Sequence, residues 1–118
     1  MKLRFYAKSS SGEPYPVDVV AESGSIRMFC HCPAGQVRQV CKHKVALIKG
    51  DETMLANPDQ ASALAEMKSW PQYETLFGRL KGFEAELVSL ENERAEITRR
   101  EKAAKARFGR ELVEGISR

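Results

Sequence analysis

The sequence predicts an α+β protein in which a small β-rich domain precedes a helical extension. Turn residues and β-formers dominate the first fifty residues, and helix-forming residues dominate the remainder. Every cysteine and histidine lies between residues 30 and 43. Such a cluster is typical of a metal site in a domain too small to rely on its apolar core. We therefore predict a metal-binding domain over residues 1–50 and a helical extension over residues 51–118.

Three segments have the pattern of β-strands, namely residues 2–7, 17–22 and 26–30. In the first, Leu3 and Phe5 share one face while charged side chains occupy the other, as in a half-buried strand. The segment Ser23-Gly24-Ser25 between the second and third strands is typical of a hairpin turn. A short helix is predicted over residues 43–49, ended by Gly50.

The extension begins with a predicted helix over about residues 58–69. Asn57 is a capping residue, Pro58 fits the first helical position, and Gln60 stands where a capping-box partner belongs. Pro71 restricts the residue before it, so the helix is expected to end there.

A heptad pattern follows, and it predicts a long helix over about residues 71–114. Such a helix is about 66 Å long, so a fifty-residue domain cannot cover its apolar stripe, and a partner helix is expected. We predict a homodimer through residues 71–108. Gly78 and Gly82 weaken the helix, which leaves a break into a helical hairpin as an open alternative. The predicted oligomer seam consists of apolar a and d positions: Tyr73, Leu76, Leu80, Phe83, Leu87, Leu90 and Ile97.

The cysteine and histidine cluster has the spacing of a zinc site. Cys30-x-Cys32 and Cys41-x-His43 supply three sulfurs and one nitrogen, and four protein ligands leave no open position for water or substrate. In extended backbone Cys30 and Cys32 lie on one side, with His31 pointing away. Residues two apart in a helix point in nearly opposite directions, which places Cys41 and His43 in the turn before the short helix. We predict one structural Zn²⁺ per chain.

Other interpretations of the cluster remain open. Three buried free thiols have no packing reason to lie so close together in sequence. A redox-active Cys-x-Cys pair is chemically reasonable, but it leaves Cys41 and His43 without a role. A third alternative replaces one of the four ligands with His31.

The segments Phe29–Gly35 and Cys41–Leu47 resemble a SWIM-type zinc finger, whose pattern is Cys-x-Cys, a variable spacer and Cys-x-His. The resemblance covers roughly residues 15–50 and includes Pro33 after the second cysteine and Lys42 inside the second pair. It implies that the same four residues bind zinc between a β-hairpin and a short helix. It also implies a DNA-binding or protein-interaction module, although these 118 residues hold none of the ATPase, transposase or ligase regions that accompany such modules.

Two functions are therefore expected. The first is a small adaptor, regulator or inhibitor that binds a protein partner and oligomerises through the long helix. The alternative is direct DNA or RNA binding by basic residues near the zinc site, with an aromatic residue available for stacking. The candidate contact residues are Arg27, Arg38, Lys42 and Lys44, and the candidate stacking residues are Tyr6, Tyr15 and Phe29.

Catalysis, membrane insertion and secretion are not expected. The sequence shows no nucleophile–base pairing, no phosphate-binding glycine loop and no metal site with an open position, so we predict that the protein is not an enzyme. The longest aliphatic run, Val45–Ile48, is far too short to span a membrane. The first residues have no apolar stretch of the secretory kind, so an intracellular location is expected, in the cytoplasm or in the nucleoid or nucleus.

Overall fold

The structure is a computed structural model and describes residues 1–117. It confirms the α+β fold class. Within the described residues the strands are β1 (Lys2–Ala7), β2 (Tyr15–Glu22) and β3 (Ser25–Cys30). The α-helices are α1 (Pro33–Gln36), α2 (Lys42–Ile48), α3 (Ala61–Ser69) and α4 (Pro71–Glu114), with two single 3₁₀ turns at Glu52–Met54 and Pro58–Gln60.

The three strands form an antiparallel sheet in the order β1-β2-β3. Phe5 is opposite Val17, and Val17 is opposite Cys30, so one row of the sheet leads from the apolar core to the first cysteine. All three of these side chains are fully buried. The alternation predicted for residues 2–7 is present, because Phe5 and Ala7 face the core while Arg4 and Tyr6 are exposed.

The free edge of β1 is covered by a segment from the middle of the chain. Lys8 N–H donates to the Met54 carbonyl at 2.8 Å, and Ala56 N–H donates to the Tyr6 carbonyl at 2.8 Å. Gln60 continues this pairing with its side chain, which accepts from Tyr6 N–H and donates to the Arg4 carbonyl. The capping-box role predicted for Gln60 is therefore wrong, because its amide acts as one more rung along β1. Covering an edge in this way removes a site of unwanted strand pairing.

The core extends well beyond residue 50. Leu64 and Met67 of α3 and the following Trp70 are buried in the same cluster as the inner face of the sheet. Tyr73, in the first turn of α4, packs against that cluster, and its hydroxyl donates to the Ile48 carbonyl at 2.5 Å. The first compact unit consequently runs from Met1 to Lys81 and the second begins at Gly82, whereas the sequence predicted a boundary near Gly50.

Helix α4 is continuous from Pro71 to Glu114. It passes through Gly78 and Gly82 without a break, so the structure does not adopt the helical hairpin that the sequence left open. None of the helices among residues 1–117 combines the length and apolar character needed to cross a membrane.

Candidate metal centre

Three elements of the first unit bring the four candidate ligands to the site. Cys30 is the last residue of β3, and Cys32 is the N-cap residue of α1. Cys41 is the N-cap residue of α2, and His43 is the second residue of that helix. The predicted ligand set is thus brought together by a sheet strand and two helix N-termini.

The local structure differs from the prediction in two ways. Helix α1 (Pro33–Gln36) was not predicted, although Pro33 at its first position favours a helical turn. The placement of His43 before the helix is wrong. Cys41 is the extended N-cap, with φ −127° and ψ 155°, so only His43 has helical backbone, and the rule for two residues within one helix does not apply.

The four donor atoms form a compact and buried group. The sulfurs of Cys30, Cys32 and Cys41 and a ring nitrogen of His43 all lie within 4.8 Å of one another. Each of these residues is at most 6 % exposed. The Cys30 Sγ lies 3.6 Å from Nδ1 of His43. Tetrahedral zinc ligands at ordinary bond lengths place a sulfur and a nitrogen about 3.6 Å apart. The donor set therefore fits a single metal ion of the zinc type, held through Nδ1 of His43.

Backbone amides donate hydrogen bonds to the sulfurs of Cys32 and Cys41. The N–H of Gly35 donates to Sγ of Cys32 at 3.3 Å, and the N–H of Lys44 donates to Sγ of Cys41 at 3.5 Å. Burial works to raise the pKa of Cys32, but hydrogen bonds from Gly35 and the neighbouring cysteines outweigh it and lower the pKa. N–H groups at helix N-termini thus provide partial positive charge where a thiolate ligand would sit.

Binding of a metal cation would change the protonation of Cys30. Burial is the main cause that raises the pKa of its thiol to about 12. At neutral pH this thiol stays protonated unless a positive charge is present. A bound divalent cation reverses that preference, because coordinating thiols are deprotonated outright.

The imidazole of His43 is neutral and only partly hydrogen-bonded. Burial lowers its pKa, with the charge of Lys42 acting in the same direction. A neutral ring is the form that binds a metal. Its Nε2 is buried and has no hydrogen-bond partner among the described residues. The Lys8 backbone acts in the opposite direction and raises the pKa of the ring, but its effect is smaller than that of burial.

Gly35 allows α1 to pack directly on the end of β3. A Cβ atom at this position would lie 2.0 Å from the Cys30 carbonyl oxygen and 2.8 Å from its carbonyl carbon. Only glycine permits this approach, which also aims the Gly35 N–H at Cys32. Gly35 is therefore a structural requirement of the site.

Helix α2 is ended by a hydrogen-bonded cap. Gly50 has φ +75°, its N–H donates to the Leu47 carbonyl, and Asp51 N–H donates to the Ala46 carbonyl. This pair of bonds is the Schellman arrangement, which favours glycine at the left-handed position. The predicted helix end at Gly50 is confirmed.

His31 lies outside the metal group. Its Nε2 is 3.1 Å from Oδ2 of Asp18, and its ring contacts the Phe29 ring edge-on. Asp18 also accepts two hydrogen bonds from the Arg4 guanidinium, at 2.6 and 3.0 Å. The Arg4 hydrogen bond is the main cause that lowers the pKa of Asp18. This cluster on the outer face of the sheet was not predicted, because it depends on strand register.

The four candidate contact residues occupy different places. Arg27 and Arg38 line one shallow concavity on the outer face of the sheet, together with Phe29. Lys42 lines a separate concavity over the metal group. Lys44 is half-buried, and its backbone N–H is engaged with Cys41. The Arg27 guanidinium also lies 3.8 Å from Oε2 of Glu22.

The predicted stacking residues are similarly divided. Tyr6 and Phe29 are exposed on the outer face of the sheet. The ring of Tyr15 is half-buried, with its centroid 5.5 Å from that of His43. Tyr15 therefore covers a candidate ligand rather than presenting a free face to a nucleotide base.

The predicted seam residues are divided between the two units. Tyr73 is half-buried against the core of the first unit, and Leu80 is buried. These two side chains are already occupied within the chain, so they do not serve as open seam positions. Leu87, Leu90 and Ile97, in the second unit, are exposed.

Comparisons with known proteins give no match. No protein-family model, no curated protein and no solved structure resembles this chain closely enough to be reported. The functional argument therefore depends on the site itself.

Proposed function

We propose that the protein is a non-catalytic interaction module of the SWIM type, stabilised by one structural Zn²⁺ and directed at a protein partner. The observation that carries this proposal is the closed donor set. Cys30, Cys32, Cys41 and His43 supply four buried donor atoms, the number that fills a zinc tetrahedron. A zinc ion held in this way has a structural role, because catalytic zinc needs an open coordination position.

The surface offered to a partner is the loop between the two ligand pairs, residues 37–40, which we call the inter-ligand loop. Val37 is 64 % exposed and Val40 is 60 % exposed, two apolar side chains displayed beside a buried metal group. Arg38 lies between them with φ 61°, a conformation that L-residues rarely adopt. The metal ligands on both sides hold this loop in place, so binding would cost little conformational entropy.

The chemistry of the loop defines the kind of partner. Arg38 and Lys42 are exposed next to the two valines. The matching surface is a protein with an apolar patch bordered by acidic side chains. Helix α4 is assigned the second role, oligomerisation, on the basis of its exposed apolar side chains from Leu87 onward.

The test compares partner capture by the zinc-loaded wild type with capture by a Val37→Asp/Val40→Asp variant. Chemical cross-linking in intact cells that produce each form, followed by mass spectrometry, identifies proteins that depend on the loop. We expect a partner with the wild type and its loss with the variant. A Lys2→Ala variant is the matched control, because Lys2 is exposed at the start of β1 and lies outside the loop.

Zinc content of each form, measured by plasma mass spectrometry, separates loss of the surface from loss of the fold. The expected value is one zinc per chain in all three forms. A protein partner that binds the loop variant as well as the wild type would contradict the assigned surface. Catalytic turnover that depends on the bound zinc would contradict the non-catalytic role.

Nucleic-acid binding is the second candidate, and one observation favours it. Arg27, Arg38 and the exposed ring of Phe29 line the same concavity on the outer face of the sheet, a combination suited to phosphates and a stacked base. Two ion pairs on that face weaken the case, because Asp18 neutralises Arg4 and Glu22 lies beside Arg27. Protein binding is therefore the preferred function.

Fluorescence anisotropy with labelled single- and double-stranded oligonucleotides decides between the two candidates. Micromolar binding that weakens steeply with salt, and that is lost in an Arg27→Glu/Arg38→Glu variant, would establish the second candidate. Absence of binding even at low salt would leave the protein-interaction function.

A further inference from the structure

The part of α4 in the second unit displays an apolar stripe without a covering element. Leu90 and Ile97 are 44 % and 52 % exposed, and Phe108 is 55 % exposed. Phe83, Leu87 and Leu90 follow one another at the four- and three-residue spacing of a coiled-coil seam, and Ile97 and Phe108 lie at later positions of the same seam. The side chains of residues 85–117 are all exposed. A long helix gains most of its stability from packing an apolar face, so this stripe requires a partner helix.

The charge along the same helix changes sign close to its middle. Residues 86–96, which we call the acidic segment, contain four glutamates and one arginine. Residues 99–110, which we call the basic segment, contain six basic residues and one glutamate. The side chains of Glu96 and Arg99, at the boundary, form an ion pair. A helix with two opposite ends of this kind is complementary to a copy of itself that runs in the reverse direction.

We propose that the second unit self-associates as an antiparallel two-stranded coiled coil, in which the acidic segment of one copy lies along the basic segment of the other. The two-fold axis then passes close to Glu96, where the acidic segment ends. The proposal rests on the part of the proposed function that assigns oligomerisation to α4, and it adds the direction and register of the pairing.

The polar seam positions distinguish the two directions. Arg94 and Glu101 occupy a positions in the apolar stripe. In a parallel dimer each a residue meets its own copy, which places arginine against arginine and glutamate against glutamate. In the antiparallel arrangement Arg94 lies beside Glu101 of the second copy, and Phe83 faces Phe108 of the second copy.

The charged residues on either side of the apolar seam also favour the antiparallel direction. A parallel dimer would pair Glu86 with Glu91 and Arg100 with Lys105 across the interface, and like charges there are unfavourable. The antiparallel dimer pairs opposite charges along the seam instead. These pairs are Glu86 with Arg107 and Glu93 with Arg100, each repeated by the two-fold axis.

A second copy fits this face better than a different ligand does. Closed two-fold pairing uses the same surface on both chains, and the helix supplies both halves of the charge pattern itself. A nucleic acid would be attracted to the basic segment but repelled by the adjoining acidic segment. A helix with a uniform charge would match only one of the two segments.

The experiment measures the dimer dissociation constant of the zinc-loaded full chain by sedimentation equilibrium at low salt. Three variants are compared with the wild type. The acidic-reversed variant carries Glu86→Lys, Glu91→Lys and Glu93→Lys. The basic-reversed variant carries Arg100→Glu, Lys105→Glu and Arg107→Glu. The swapped variant carries all six substitutions and restores opposite charges only in the antiparallel arrangement.

We expect the wild type to dimerise with a dissociation constant of about 10 μM or tighter. The acidic-reversed and the basic-reversed variant should each weaken the dimer about 100-fold, because four attractive contacts become repulsive. The swapped variant should regain affinity to within about tenfold of the wild type. An equimolar mixture of the two single-reversal variants should form a heterodimer.

The matched control is Lys102→Glu/Arg110→Glu, which changes charge at outward b and c positions and should leave the dimer intact. Circular dichroism at high concentration verifies that each variant still forms helix. The antiparallel pairing would be overturned, with oligomerisation left in place, by either of two results. The first is a dissociation constant that the charge reversals do not change, and the second is a swapped variant that stays dissociated. A wild type that remains monomeric at about 100 μM would overturn the antiparallel pairing and the oligomerisation role of α4 together. The zinc content and the partner binding of the inter-ligand loop are tested by separate experiments.

Discussion

The two units of the chain obtain their structure in different ways. The first, Met1–Lys81, surrounds a core of sheet and helix side chains and adds four buried metal donors. The second, from Gly82 onward, is a single helix in the described residues, with apolar side chains such as Ile97 and Phe108 open to solvent. We propose that a bound metal completes the first unit and that a second helix completes the other.

This contrast shows how a short chain can combine specificity and assembly. A fifty- to eighty-residue core is marginal alone, and zinc binding to peptides of this type contributes roughly 10–16 kcal/mol to folding. An isolated helix has no comparable source of stability and depends on its partner. Loss of metal should therefore damage the first unit, and dilution should damage the second.

The largest expected effect comes from Cys41→Ala. This substitution removes one of four ligands and leaves the remaining thiols buried without their cation, so the first unit should lose its zinc and its cooperative thermal transition. Calorimetry and zinc analysis measure both losses. Retention of stoichiometric zinc and an unchanged melting curve would refute the ligand assignment.

His31→Ala is the matched control for that experiment. His31 contacts Asp18 and Phe29 but lies outside the metal group. The control should keep a full complement of zinc and change the free energy of unfolding by less than about 1 kcal/mol.

The next largest effect is expected from Gly35→Ala. The added Cβ would collide with the Cys30 carbonyl at 2.0 Å, and backbone on both sides would have to move. We expect a loss of about 3 kcal/mol in unfolding free energy and weaker zinc binding in a chelator competition assay. Gly78→Ala is the control, because nothing lies within 4 Å of its Cβ, and it should be neutral or stabilising. Equal behaviour of the two variants would contradict the close approach at Gly35.

A smaller effect is expected from Tyr73→Phe, which removes the hydrogen bond to the Ile48 carbonyl. The cost should be about 1 kcal/mol at neutral pH, measured by urea unfolding of the zinc-loaded protein. Burial raises the pKa of Tyr73 above its ordinary value of 10.0. The folded state therefore holds the phenolic proton more tightly, and this contribution is full below about pH 10 and lost as pH rises through the folded pKa.

The pH series gives this prediction a second readout. Above about pH 10 the unfolding free energy of the wild type should fall faster than that of the phenylalanine variant. The difference between the two unfolding free energies therefore narrows. A difference in unfolding free energy that stays constant or widens with pH would show that the Tyr73 hydroxyl is not buried against the core.

Much of the fold was predictable because its signals are local. Alternation identified the strands, Gly50 and Pro71 marked helix ends, and the heptad pattern located α4 at Pro71–Glu114. The roles of Gln60 and Tyr73 were not predictable, because each makes its hydrogen bond to a residue at least 25 positions away. Such contacts depend on tertiary packing, which no local pattern encodes.

The candidate metal group was predictable for a related reason. Three cysteines and a histidine within fourteen residues need only a short bend of the chain to meet, and the structure brings their donors together. Finer details were missed, since helix α1 and the helical backbone of His43 depend on how the loop closes. The Arg4–Asp18–His31 cluster required the strand register, which the sequence did not provide.

The smallest effect is expected from Gly82→Ala, at the first residue of the second unit. No atom lies within 4 Å of the added Cβ, and alanine favours helix over glycine by about 1 kcal/mol. The helical signal in circular dichroism should melt at a slightly higher temperature, while zinc affinity stays the same. A change in zinc affinity would show that the metal group and the second unit are coupled, contrary to the contrast drawn above.

The most direct test of the central claim is zinc-edge X-ray absorption of the purified, zinc-loaded protein. The account predicts one zinc per chain with three sulfur ligands at about 2.3 Å and one nitrogen ligand at about 2.0–2.1 Å. A spectrum with fewer sulfur neighbours, or with a water oxygen in the coordination shell, would contradict a closed structural site formed by Cys30, Cys32, Cys41 and His43.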